Sequence, residues 1–188
     1  MKAITIKQPF ASLIANDIKD IENRTWACPK KYIGQRVLIH SGKALCRKSI
    51  FETLTTEQYK MFREKVGYSG LDFLEPKGYI IGSVQIVDCV VNHPSVWADK
   101  TENHTVGMNP RIHEDITGKK ITYNWVLANP ILFNEPIRAK GKLSFWDYPN
   151  INSEDGICLC QIAVDEKNQV MNLCGEYRCW YCGGKWSK

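Results

Sequence analysis

The sequence predicts an α+β domain built as a small, mostly antiparallel β-barrel with helices packed at its ends. Three observations predict it. Short apolar runs bounded by turn residues recur through the first 150 residues, the spacing of strands in small all-β units. One stretch, residues 46–66, carries the apolar spacing of a main helical region. Gly82 interrupts the longest strand pattern, where a barrel strand bends or bulges.

The elements follow in order. Residues 2–7 alternate as a strand. Pro9 stands at the first turn of a helix over 9–17, where its missing N–H is tolerated. Phe10, Leu13, Ile14 and Ile18 give that helix a buried face. Residues 20–25 are a second strand, and 27–35 a basic loop ending at a glycine. Arg36 to Ser41 is a strong strand, and Gly42-Lys43-Ala44 a turn carrying a cation. In the 46–66 region Ile50, Leu54, Tyr59, Phe62 and Val66 form an apolar stripe. Thr55-Thr56-Glu57 is a point where a second helix restarts behind a hydroxyl N-cap. Gly78 to Val91 reads as a long strand. A polar excursion, 93–120, is long enough to be a lid or an ornament. Thr122 to Leu127 is a strand, Asn129-Pro130 a turn into Ile131-Leu132-Phe133, Glu135-Pro136-Ile137 and Ala139 to Lys142 a further turn, and Leu143 to Trp146 a last strand.

Composition narrows the class. The chain has 188 residues, enough for one domain (residues 1–150) and a small appendage (151–188). Its net charge of +5 permits contact with nucleic acid without demanding it. No apolar run approaches the ~20 residues that span a bilayer. The N-terminal Met1-Lys2-Ala3-Ile4-Thr5 has no signal-peptide pattern, so a cytoplasmic location is expected. There, eight cysteines argue against a disulfide framework. Cys28, Cys46 and Cys89 are scattered and read as small hydrophobes or idle thiols.

The candidate site is Lys19, Glu22, Arg24 and Trp26. Glu22 and Arg24 are two apart and share a face of their strand, with Lys19 at its mouth. An acid, a guanidinium and an ammonium beside an aromatic suit a polar, planar or anionic ligand. The competing reading is a solvated strand face with weak ion pairs. His40, Ser41 and Lys43 end a strand near the same place and are secondary ligand-binding candidates, His40 reading equally as a structural histidine.

These residues resemble the ASCH domain, the activating-signal-cointegrator-homology branch of the PUA-like superfamily. The resemblance rests on Gln8-Pro9-x-Ala11-x-Leu13-Ile14, Lys19-x-x-Glu22-x-Arg24, Val37-Leu38-Ile39-His40 and Gly78-x-Ile80-Ile81-Gly82-x-Val84. It continues in Trp125-Val126-Leu127-x-Asn129-Pro130 and Pro136-Ile137-x-x-Lys140-Gly141. It spans roughly residues 1–148. It implies a PUA-like barrel with Lys19, Glu22 and Arg24 lining a cleft walled by the first helix and the strand after it. It also implies binding of RNA or a modified nucleobase. One branch of the family hydrolyses N4-acetylcytidine with a lysine, a threonine and a glutamate. Lys19 matches the lysine, but Glu22 occupies the threonine's place, and Thr25 is one strand position out of phase. The family glutamate has three candidates in the excursion: Asp99, Glu102 and Glu114. Glu22 suits either of two tasks. It is a general base for water, or an acceptor for a base's exocyclic amine.

The last cysteines form a separate group. Cys158 and Cys160 share a strand face, Cys174 follows, and Cys179-x-x-Cys182 precedes two glycines as in a zinc knuckle. Structural zinc is expected on four ligands drawn from these five cysteines, or with a histidine as the fourth. Lys185, Arg178, Trp180, Tyr181 and Trp186 add an aromatic and basic mix suited to single-stranded bases, or to packing the tail on the barrel. Three functions result. The first is recognition of RNA, a nucleoside or a modified nucleobase. The second is an amidohydrolase for an acylated nucleoside, using Lys19 and Glu22 as catalytic residues. The third is a protein-interaction module of a transcription or translation regulator, docking a protein partner.

Overall fold

The computed structural model describes residues 1–45, 50–66, 77–101 and 120–148. Six strands form one mixed sheet: β1 (Lys2–Gln8), β2 (Ile21–Arg24), β3 (Arg36–Leu45), β4 (Tyr79–Val90), β5 (Tyr123–Arg138) and β6 (Phe145–Asp147), in the order β2-β5-β4-β3-β1-β6. All neighbours are antiparallel except β1 and β3, which pair in parallel with Ala3 opposite Leu38. The helices are α1 (Phe10–Ala15), α2 (Ile50–Thr53) and α3 (Thr56–Val66). The α+β class and the mostly antiparallel barrel of the sequence reading are both present. No helix among the described residues is long and apolar enough to cross a membrane.

The sheet curls until its two edges meet. Trp125 is on β5 and Phe145 on β6, near opposite edges, yet their rings stack with centroids 5.3 Å apart. Trp26, just past β2, meets Trp125 edge-on at 4.6 Å, and the Trp125 indole N–H donates to the Trp26 carbonyl at 3.2 Å. Arg24 on the β2 edge donates from Nη2 to the Thr5 carbonyl of β1 at 2.8 Å. Inside the curl lies a core of Ile4, Ile6, Val37, Ile39, Val84 and Trp125, capped by Ala11 and Ile14 of α1. A second cluster joins Leu13, Ile18 and Ile21 to Leu54, Phe62 and Trp97. A third, on the outer face, holds Ala3, Leu38, Ile80, Phe133 and Trp146. The chain's first residue is tied beside residue 148. Met1 donates to the Tyr148 carbonyl at 3.2 Å, Tyr148 donates back at 3.0 Å, and Lys2 pairs with Asp147 at 2.7 Å.

Local chemistry explains the ends of several elements. Gln8 caps α1: its Oε1 accepts from the Ser12 N–H at 3.1 Å and its Nε2 donates to Ser12 Oγ at 2.8 Å. The helix is shorter than the span 9–17, because Asp17 takes φ 57° and turns the chain. The restart at Thr55 is a reciprocal cap. Thr55 Oγ1 accepts from the Gln58 N–H at 3.3 Å, and Gln58 Oε1 accepts from the Thr55 N–H at 3.1 Å. Gly82 lies where the β4–β5 register shifts; a Cβ there would stand 2.3 Å from the Ile131 carbonyl oxygen.

Two sequence expectations are corrected. Gly42-Lys43-Ala44 is no turn, since β3 runs on to Leu45 and pairs it with Gln8 after a register shift. The pieces around Asn129-Pro130 and Pro136 are one strand, β5. Asn129 takes φ 51°, and both prolines fall where the β4 register skips residues, so no ladder hydrogen bond is asked of a proline nitrogen.

Candidate nucleobase cleft

The edges that meet leave a cleft of about 600 Å³ between β2, the end of β1, the extension of β3 and residues 142–144. Lys19, Glu22, Arg24, Trp26 and Lys43 all line it. It is also lined by Thr5, Lys7, Phe10, Asn23, Trp97, Asp99 and Lys142, among others. Its side chains include five cations (Lys7, Lys19, Arg24, Lys43, Lys142) against two carboxylates (Glu22, Asp99).

The floor is not a solvated strand face. Lys19 is 5 % exposed and Glu22 8 %. The α1 turn delivers Lys19: the N–H groups of Ile18 and Lys19 both donate to the Leu13 carbonyl, at 2.9 and 3.1 Å. The Lys19 ammonium donates to the Ile21 carbonyl and lies 5.6 Å from the centre of the Phe10 ring. Burial pushes its pKa below the usual lysine range, opposed by the charges of Glu22, Asp99 and Asp20. Strand alternation puts Glu22 and Arg24 side by side, with Nε 2.9 Å from Oε1. The Nε–H is not aligned on the carboxylate as a hydrogen bond, so the contact is an ion pair by distance alone. Arg24 is fixed from the other side by its bond to Thr5 and by the Trp125 ring, 5.9 Å from Cζ.

Asp99 reaches the cleft through a polar network. Asn124, fully buried, donates to Asn23 Oδ1 at 3.0 Å and to the Asp99 carbonyl at 3.1 Å. Asn23 donates to the Trp97 carbonyl at 2.9 Å and accepts from the Asp99 N–H at 3.2 Å. Asn92 and Thr101 exchange two further bonds, of 3.1 and 2.7 Å. The start of the excursion is thereby bolted to β2 and β5. Of the three candidate carboxylates, Asp99 lines the cleft, while Glu102 and Glu114 lie outside the described residues. Thr25, expected to face away, lines the cleft too, because β2 ends at Arg24 and its alternation ends with it.

His40 and Ser41 do not line the cleft. Ser41 is fully buried and its hydroxyl donates to the Tyr79 carbonyl at 3.1 Å. His40 is 2 % exposed, packed edge-on to Trp146, with Nε2 3.2 Å from the Ala139 carbonyl. A carbonyl only accepts, so Nε2 carries the proton, and the buried Nδ1 has no partner among the described residues. Gly141 lies against the ring; a Cβ there would come within 2.3 Å of Cε1. Burial lowers the His40 pKa. A base whose folded pKa is depressed keeps its full contribution above its unfolded pKa, about 6.5, and loses it as pH falls toward the folded value. The unfolding midpoint should therefore drop on acidification from about pH 7.5 to about pH 5.5. His40→Gln should show a smaller drop in the same thermal melts, and equal drops would show that His40 is not the group responsible.

Cys28 is buried and its N–H donates to Cys89 Sγ at 3.2 Å; burial pushes the Cys28 thiol up to about 12, as befits an inert thiol. Cys46 and the group Cys158, Cys160, Cys174, Cys179 and Cys182 lie outside the described residues. Among the described residues, no three His, Cys, Asp or Glu side chains gather as a metal would need.

Asp99, Lys142 and Thr5 line the cleft without a local signal of ligand binding in the sequence. Asp99 was one of three carboxylates that spacing could not separate. Lys142 lies just before β6, which pairs with β1, and Thr5 Oγ1 donates to the Lys142 carbonyl at 2.9 Å; no local pattern announces such a meeting.

Comparison with known proteins matches residues 4–137 to the ASCH domain family model. Activating signal cointegrator 1 of Mus musculus is 30% identical over 87 residues, covering 46% of this chain and 14% of that protein, so the match spans a small part of the relative's length. A crystal structure of a mutant ZmASCH protein from Zymomonas mobilis aligns with a TM-score of 0.39 at 14% identity, over 73% of this chain and 72% of the other.

Proposed function

Because the chain belongs to the ASCH domain family, whose fold is PUA-like, we propose that its cleft binds RNA or a modified nucleobase. One observation carries the reading. An ammonium, a carboxylate and a guanidinium are held together at the floor of an electropositive cleft, two of them almost wholly buried. Burying such groups carries a desolvation cost that their mutual attraction does not reliably repay, which favours a use for them in this cleft. Glu22 is placed to accept from an exocyclic amine, as a carboxylate accepts from cytosine N4. Lys19 and Arg24 offer donors to a base carbonyl, and Trp26, half-buried at the wall, offers a flat apolar surface. Lys7, Lys43 and Lys142 attract phosphate around the rim.

The test is equilibrium binding of a panel of ribonucleosides, N4-acetylcytidine among them, and short RNAs to wild type and to Lys19→Met. Binding that weakens at least about tenfold in Lys19→Met, the loss of one good polar contact, supports the reading. Equal binding by both proteins sinks it.

Asp99 gives the hydrolase a specific foothold. It stands on the cleft wall near Lys19, whose ammonium burial pushes toward its neutral form. In that alternative Glu22 or Asp99 takes a proton from water, the resulting hydroxide attacks the amide carbonyl of an acylated cytidine, and the C–N bond breaks as the exocyclic nitrogen receives that proton, giving cytidine and a carboxylate. The same incubation, followed for deacetylated product, separates the two. Turnover lost in Glu22→Gln or Asp99→Asn supports an amidohydrolase, and binding without product supports a reader. Salt-insensitive capture of a protein by the chain would favour the docking module instead.

We further propose a structural zinc on the cysteines of residues 151–188, a reading that rests on their spacing alone. Metal analysis of the purified chain should return about one zinc per chain. The Cys179→Ser/Cys182→Ser variant should lose it while the barrel still melts as wild type. A metal-free wild type would remove the idea.

A further inference from the structure

A second pocket, of about 430 Å³, opens where β3, β4 and β5 end together. Its side-chain walls are Lys43, Lys77, Arg138 and Lys140, and among its lining residues there is no carboxylate. The backbone fixes it: the Gly78 N–H donates to the Ser41 carbonyl at 2.7 Å, and the Ala139 N–H donates to the Gly78 carbonyl at 3.1 Å. Gly78 takes φ +79°, and a Cβ there would meet Lys43 Cε at 3.0 Å, so the glycine lets the Lys43 stem lie across the strand ends. His40 holds the Ala139 carbonyl from beneath. Lys43, Arg138 and Lys140 are exposed and take part in none of the ion pairs between described residues. The like charges of Lys43, Arg138 and Lys140 repel one another, and an anion bound among them relieves the repulsion.

Lys43 lines this pocket and the cleft alike. We propose that the pocket formed by Lys43, Lys77, Arg138 and Lys140 holds a backbone phosphate of a single RNA strand whose neighbouring base sits in the cleft. This deepens the nucleobase reading and rests on it. It makes the ligand a polynucleotide, because a free nucleoside has no phosphate to place there. Arg138 and Lys140 sit on the segment that continues into Lys142 at the cleft rim, so one short piece of chain would follow the strand from phosphate to base.

The experiment titrates the full chain with a short fluorescent single-stranded RNA of mixed sequence, from about 50 to 200 mM salt, the range over which counterion release dominates. Wild type is compared with Arg138→Gln/Lys140→Gln and with Lys19→Met. The double variant changes only exposed side chains, and its melting point checks that it folds. We expect it to bind about tenfold more weakly at the lowest salt, with the log–log salt slope reduced by about 1.4, two contacts at about 0.7 each. Lys19→Met should lose affinity with its slope unchanged. Unchanged affinity and slope in the double variant, with binding lost in Lys19→Met, would overturn the phosphate site and leave the cleft reading standing. Loss in the double variant with none in Lys19→Met would keep a phosphate site but overturn its union with the cleft. Binding of poly-glutamate, and not of RNA, lost in the double variant would assign the pocket to an acidic peptide and overturn the proposal.

Discussion

Glu22→Gln is expected to destabilise the protein by about 3 kcal/mol, the low end of what removing one partner from a buried ion pair costs. The substitution keeps the shape and deletes the charge. It leaves the Lys19 ammonium, 5 % exposed, and the Arg24 guanidinium, whose side chain is 22 % exposed, without the carboxylate between them. The Glu22 side chain is itself only 11 % exposed, so water cannot take its place fully. Lys19→Met in the same background should recover more than half of the loss. Burial, which already pushes the Lys19 pKa down, then acts on a thioether instead of a charge. Urea unfolding of the four members of this double-mutant cycle gives the coupling directly. A cost below about 0.5 kcal/mol for Glu22→Gln would return these residues to the status of a solvated surface pair. The rescued double variant should still fail to bind, which separates the cost of the site from its use.

Trp125→Ala should cost about 4 kcal/mol, in the range for deleting a buried tryptophan. Trp125 is 1 % exposed and touches both edges of the curled sheet, through Phe145 on one side and Trp26 on the other. Its loss opens a cavity and unties the edge that carries Arg24. Ligand affinity should fall along with stability, because Trp125 packs against Trp26 and Arg24, both of which line the cleft. Trp125→Phe, which keeps a ring against Phe145 but drops the N–H to the Trp26 carbonyl, should cost roughly a third as much. Denaturant midpoints for the two variants check the order. An equal loss in both would show that the hydrogen bond, not the stack, holds the seam.

Much of the fold was legible where a local pattern decides it. Alternation placed Glu22 and Arg24 on one face, and the structure puts them 2.9 Å apart. The hydroxyl at Thr55 marked the break between α2 and α3. Gly82 marked a register shift. Three things were not legible, for a common reason. The parallel pairing of β1 with β3, the continuity of β5 through Asn129 and Pro136, and the meeting of Lys43 with Arg138 and Lys140 all depend on register between strands far apart in sequence. Turn residues look the same in a bulge as in a loop. His40 and Ser41 show the converse. They sit on the strand that leads to the cleft, yet their side chains are spent on Ala139 and Tyr79. The cation two residues on, read as part of a turn, is the one that reaches it.

The pairing of Met1 with Tyr148 means that a chain entering the barrel and a chain leaving it pass through one point. A domain with that geometry can be set into a loop of a host protein like a bead on a knot, without prying the host apart. It can also be rewired. A short glycine linker from residue 148 to residue 1, with new ends cut in the exposed Lys30-Lys31 turn, should give a permuted protein with the same cleft.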